Sequence, residues 1–174
     1  MRMTNAVARP LAFACAIALT LSSAFAAGGK STAFDTALLK LVFQATTITG
    51  IADNTASTPA TVICLALHTS DPGVGGSQST NEAAYGSYAR VSVARTSSGW
   101  TVSGNTATLA AIEQFPAATS GSETETYWSA AIPTSGTTCT GALTILYRGP
   151  ITPNLVVSTG VTPELTTSTA VTEN

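Results

Sequence analysis

The chain of 174 residues is poor in charge: only 9% of it is Asp, Glu, Lys or Arg. Seven basic residues against nine acids give a net charge of −2. Nucleic-acid binding draws on clustered Lys and Arg that displace counterions, and this sequence has none to cluster. It has one histidine, His68, and three cysteines, Cys15, Cys64 and Cys139. A zinc site takes three or four His, Cys, Asp or Glu ligands, so a centre here would need scattered residues to converge by chance of folding. No motif of the form G-x-S-x-G is present to hold a nucleophilic serine. Gly73-Val74-Gly75-Gly76 lacks the lysine of a phosphate-binding loop. No apolar run reaches the roughly 20 residues of a spanning helix, so no stable membrane span is expected. These absences leave no catalytic, cofactor-binding or metal residues to name, and a non-enzyme that needs no cofactor is expected.

The longest apolar run lies at the start. Arg2 and Arg9 precede Leu11 to Leu21, and Ala24-Phe25-Ala26 follows. This is the positive, apolar and small-residue order of an export signal. Residues 1–26 therefore read as a signal peptide or as a spurious leader, and residues 27–174 as one domain of ordinary size. Beyond the leader only Lys30, Lys40, Arg90, Arg95 and Arg148 are basic. Cys64 and Cys139 can pair in an oxidising compartment or stay free thiols. Spacing does not decide between the two, because pairing requires Cα atoms within about 7 Å.

Ser31 or Thr32 can cap a helix with Asp35 in its first turn. Phe34, Leu38, Leu41 and Val42 continue it as an apolar stripe, about three turns long. Such a helix packs on a sheet, covers an edge strand or docks on a partner. Val62 to Leu67 is unbroken apolar sequence, as in a strand covered on both faces. Asp71-Pro72-Gly73 stops it, and no periodicity returns until Tyr88, where Ala89, Val91 and Val93 alternate with polar neighbours. Trp100 to Leu109 reads as a hairpin turning at Gly104-Asn105. Phe115-Pro116 ends a further segment. Ser120 to Glu125 reads as a polar loop, with Glu123 and Glu125 a solvated charge pair. Thr126, Trp128, Ala130 and Ile132 then share a strand face. Leu143, Ile145 and Tyr147 share the next, expected to stop at Gly149-Pro150. Leu155 to Val157 and Thr169 to Thr172 complete the set, with Pro163 confining any strand there to an edge. About eight short strands with turns at this spacing predict an all-β domain, a single β-sandwich or jelly-roll-like fold with one short N-terminal helix.

His68 sits at the end of the first apolar strand, three residues before Asp71. A side chain bonding turn backbone or that carboxylate is expected, in preference to a metal ligand or the base of an exported hydrolase. Trp100 and Trp128 read as core residues, or as stacking platforms if the chain is a binding module.

Five pieces recur in one order: Leu65 to Gly73 (LALHTSDPG), Asn81-Glu82 with Tyr85 to Arg90, Trp100 to Thr106 (WTVSGNT), Phe115-Pro116, and Ile145-Leu146-Tyr147 before Gly149. Together with the helix ending Leu41-Val42-Phe43, they resemble a family of small bacteriophage tail fibre and virion structural proteins. The resemblance runs from Thr32 to the C-terminus. It implies a β-rich virion structural protein of a tailed phage or prophage, tail or tail-fibre associated or decorating the head. It also implies other virion proteins as partners, a homo-oligomer in the particle, no nucleic acid contact, and no catalytic residue to carry over. The leader and the long loop around Cys139 depart from that family. A virion location is therefore expected, with a secreted or periplasmic binding module, for glycans or a surface, as the alternative if the leader works as a signal peptide.

Overall fold

Val62–His68 forms β1, and everything else is built around it. A computed structural model describes residues 31–48, 60–134 and 136–173. The leader at 1–26 lies outside the described residues, as does most of the connector before Ala60. β1 is buried along six of its seven residues, and it pairs antiparallel on both sides. Val91–Ala94 (β2) lies on one flank and Ser122–Ala131 (β6) on the other. Ile145–Ser158 (β7) pairs with β6 and closes a four-stranded sheet of order β2-β1-β6-β7.

Trp100–Ser103 (β3) and Thr106–Leu109 (β4) form the expected hairpin, and Ala170–Thr172 (β9) adds to β4. Gly104 opens the two-residue turn at φ 57°, a conformation that glycine adopts without strain. Glu113–Gln114 (β5) and Glu164–Leu165 (β8) make a small third ribbon. One apolar core lies between the sheets. Ile63, Leu65, Leu67, Trp128, Ala130 and Val157 come to it from the four-stranded sheet, and Trp100, Ala107, Leu109 and Val171 from the three-stranded one. The fold is all-β, with nine strands in antiparallel sheets among the described residues.

The helix, Thr32–Gln44 (α1), begins at Ser31, whose side-chain oxygen accepts from the Phe34 N–H at 3.2 Å. It packs on the β3–β4 hairpin, burying Leu39 and Phe43. Its C-terminal carbonyls are orphans by helix geometry. The guanidinium of Arg95 supplies two of them, donating to the carbonyls of Leu41 and Val42, and also donates to the Ala60 carbonyl before β1.

Two strand expectations are corrected. β7 does not stop at Gly149-Pro150 but continues to Ser158 and absorbs Leu155–Val157. Proline lacks the N–H that a second neighbour would need, and among the described strands β7 is an edge with one neighbour, β6. The stretch 120–125 is not wholly loop, because β6 begins at Ser122.

The two strands are also irregular opposite each other. Tyr127 pairs with Pro150, but Glu125 pairs with Leu155. C-terminal to the Glu125/Tyr127 irregularity, Ser129 of β6 faces away from the main core, toward His68. N-terminal to it, Glu125 and Glu123 stand opposite Leu155 and Val157, which pack on that core. Thr126 leaves the face expected for it and donates to the Thr69 carbonyl at 2.9 Å.

Candidate functional site

Even-numbered residues of β1 point away from the main core, under the long loop 69–90. Cys64 and His68 are both fully buried there. The Nδ1 of His68 lies 2.9 Å from the Thr80 carbonyl. A carbonyl only accepts, so Nδ1 carries the proton and Nε2 accepts from the Ser129 hydroxyl at 2.8 Å. Burial, the main influence, holds the imidazole below its ordinary pKa, so the ring is neutral at pH 7. Gln78, also fully buried, donates from Nε2 to the Cys64 carbonyl at 2.8 Å. Sequence reading expected His68 to bond turn backbone or a carboxylate near Asp71; the backbone partner is the carbonyl of Thr80, twelve residues on. That reading did not find Gln78 or Ser129, which carry no periodic or motif signal.

A serine hydroxyl bonded to a histidine that is oriented from behind is also the arrangement of nucleophilic catalysis. Here both side chains are fully buried, and neither lines the cleft beside Arg90 or the cleft beside Trp128. The arrangement holds the loop to the sheet. Asp71 takes no part in it: it accepts from the Gly73 N–H at 2.8 Å and pairs with Arg148.

The same loop is held at its far end by Arg90. Its guanidinium bridges both oxygens of Glu82, at 2.6 and 2.7 Å, and donates to the Gly141 carbonyl at 2.7 Å. That last bond reaches the 132–144 loop. Cys139 on that loop stands with its Cα 5.4 Å from the Cα of Cys64, the sulfurs at bonding distance. The cleft here, about 500 Å³, is bounded by Glu82, Tyr88, Arg90 and Cys139.

A second cleft of about 510 Å³ lies between β7 and the segment that follows β8. Trp128, Pro150, Pro153 and Leu155 form an apolar wall, facing Glu164 and the hydroxyls of Thr166 and Ser168. Trp128 reaches this cleft, while Trp100 is fully buried against Phe43. Among the loop tyrosines, Tyr85 donates to the Pro116 carbonyl at 3.0 Å and Tyr88 accepts from the Leu67 N–H at 3.1 Å.

Glu123 and Glu125 are not a solvated pair. Glu125 is fully buried, and Glu123 accepts the N–H groups of Ala84 and Tyr85 at 2.9 and 2.8 Å. Among the described residues no three His, Cys, Asp or Glu side chains are placed to hold a metal ion. None of the described helices is long and apolar enough to cross a membrane.

Residues 29–172 match the model of the family described as Podophage GP4 fiber I protein gp80. No curated protein matches the chain.

Proposed function

This chain belongs to the podophage GP4 fiber I protein gp80 family, a phage tail fibre family, and from that premise we propose that it is a non-enzymatic, homo-oligomeric component of the phage tail fibre. It is a structural fibre protein of the virion, associated there with other virion proteins. The observation that carries the reading is the match across residues 29–172, which spans every described strand. The geometry supports it. The one histidine holds a loop to the sheet. Exposed apolar side chains on the edge strand β7, Leu146 at 41% and Val156 at 69%, support contact with further copies.

Within this reading, residues 27–174 are the folded unit, the leader adds nothing to it, and Cys64 and Cys139 are oxidised to a disulfide in the mature protein. Mass spectrometry of purified particles tests the assignment. Peptides of the 31–172 region are expected in the particle at several copies each. Particles that lack them contradict it.

The cleft beside Trp128 favours a second reading, a surface-binding module for glycans. Its apolar wall suits the C–H face of a sugar ring and its hydroxyls suit the ring's edge. A glycan array probed with the purified chain separates the two. Selective binding that Ala170→Trp abolishes by filling the cleft favours the second.

A further inference from the structure

Glu125 lies on strand β6 between Thr124 and Thr126. It is fully buried, and neither of its carboxyl oxygens has a hydrogen-bond partner. A buried charge is costly unless paired, and among the described residues it pairs with no cation. It is buried because the β6–β7 irregularity turns it onto the face of Leu155 and Val157. Irregularities of this kind re-aim side chains.

The face that turns Glu125 inward also carries Glu123, two residues away, since positions i and i+2 of a strand share a face. Glu123 is already engaged on its other side. Its Oε1 accepts from the backbone N–H groups of Ala84 and Tyr85 and so pins the 84–88 loop to the strand. That loop carries Tyr85 and Tyr88, packed edge to face with centroids 5.2 Å apart. Through Tyr88 it reaches the Leu67 N–H on β1. Two groups that titrate face Glu125: Glu123 on its own strand and Tyr85 from the loop.

We infer that Glu123 and Glu125 form a proton-sharing carboxyl pair that latches the 84–88 loop onto β6 and releases it when the proton is lost. With one proton between them, neutral Glu125 is compatible with its apolar surroundings and its O–H can point at the Glu123 carboxylate. Without that proton, two like charges stand side by side, one of them with no solvent. The pair relieves this only by opening, and Glu123 takes its two backbone contacts with it. Burial first, and then Glu123, pushes the Glu125 carboxyl up to about 8. The latch is therefore closed in acid and at neutrality and loosens in mild alkali.

The sign follows from linkage. The folded chain keeps a proton that the unfolded chain gives up at the ordinary carboxyl value of 4.5. Its stabilising effect is complete below that value and is lost as pH rises toward about 8. Over that window the unfolding equilibrium constant rises by up to tenfold per pH unit from this group.

The test uses the full chain and its E125Q and E123Q variants. The Glu125 carboxyl is followed by carbon NMR, and amide hydrogen exchange is read at Ala84 and Tyr85. In the wild type the carboxyl should titrate near 8, and exchange at the two amides should accelerate across that titration beyond its intrinsic base catalysis. E125Q should abolish the extra acceleration. E123Q should move the Glu125 titration downward by removing the neighbouring charge. The wild-type titration decides the matter even if a variant fails to fold. A Glu125 carboxyl that titrates below pH 6, or amides whose exchange follows intrinsic chemistry alone, would overturn the latch.

Discussion

The ring of Phe43 lies 4.4 Å, centroid to centroid, from the ring of Trp100, tilted by 49°. This contact joins the helix to the β3–β4 hairpin, and both side chains are fully buried. Gln44 fixes the same junction by donating to the Trp100 carbonyl at 3.0 Å. Trp100→Ala leaves a cavity at the helix–hairpin seam and should cost about 3–5 kcal/mol, as large buried aromatics do. Denaturant unfolding of the purified chain measures it. A variant of unchanged midpoint would show that the seam carries little stability.

His68 should be more sensitive than a strand-end residue. Both its ring nitrogens are used, so His68→Ala takes from the Ser129 hydroxyl the acceptor of its proton and from the Thr80 carbonyl its ring donor, and opens a cavity. We expect a loss of about 3 kcal/mol. His68→Gln keeps a donor and an acceptor but not both distances, and should lose about 1 kcal/mol. The two denaturant midpoints should fall in that order. Stoichiometric zinc that disappears with either substitution would point to a metal role instead.

Arg95 holds the end of the helix against the sheet, where it is 6% exposed. Arg95→Ala should destabilise by about 3 kcal/mol, since several carbonyls lose a charged donor at once. Arg95→Lys should recover only part of this, because an ammonium cannot reproduce the fork. Loss of helical circular dichroism ahead of the β signal during unfolding would locate the weakness at α1.

The Cys64–Cys139 pair closes a loop across 75 residues of sequence. Oxidised, it should stabilise the fold by about 4 kcal/mol through chain entropy. Peptide mapping without reductant should recover the two cysteines as one linked fragment. Two freely alkylated thiols in protein purified from its native source would contradict the pairing.

What could be read in the sequence follows from which forces leave a periodic trace. β1 was legible because burial on both faces demands an unbroken apolar run. The hairpin at Gly104 was legible because its turn needs a residue that tolerates positive φ. The extent of β7 was not, because Pro150 is tolerated only on an edge, and edge position is a property of the assembled sheet. The loop 69–90 looks unstructured in sequence, yet Gln78, Thr80 and Arg90 fix it through bonds to residues outside it, and Glu82 through a bond to Arg90 within it. Such bonds need no spacing rule. Glu125 illustrates the limit most clearly. Its burial depends on how β6 and β7 fall out of register, which no pattern within β6 announces.

If this chain is a fibre component of a phage particle, immunogold electron microscopy on intact particles, with antibody raised against residues 27–174, should place gold on the tail fibres in a repeating arrangement. Unlabelled particles, with the protein recovered instead from the culture medium or the periplasm, would contradict it.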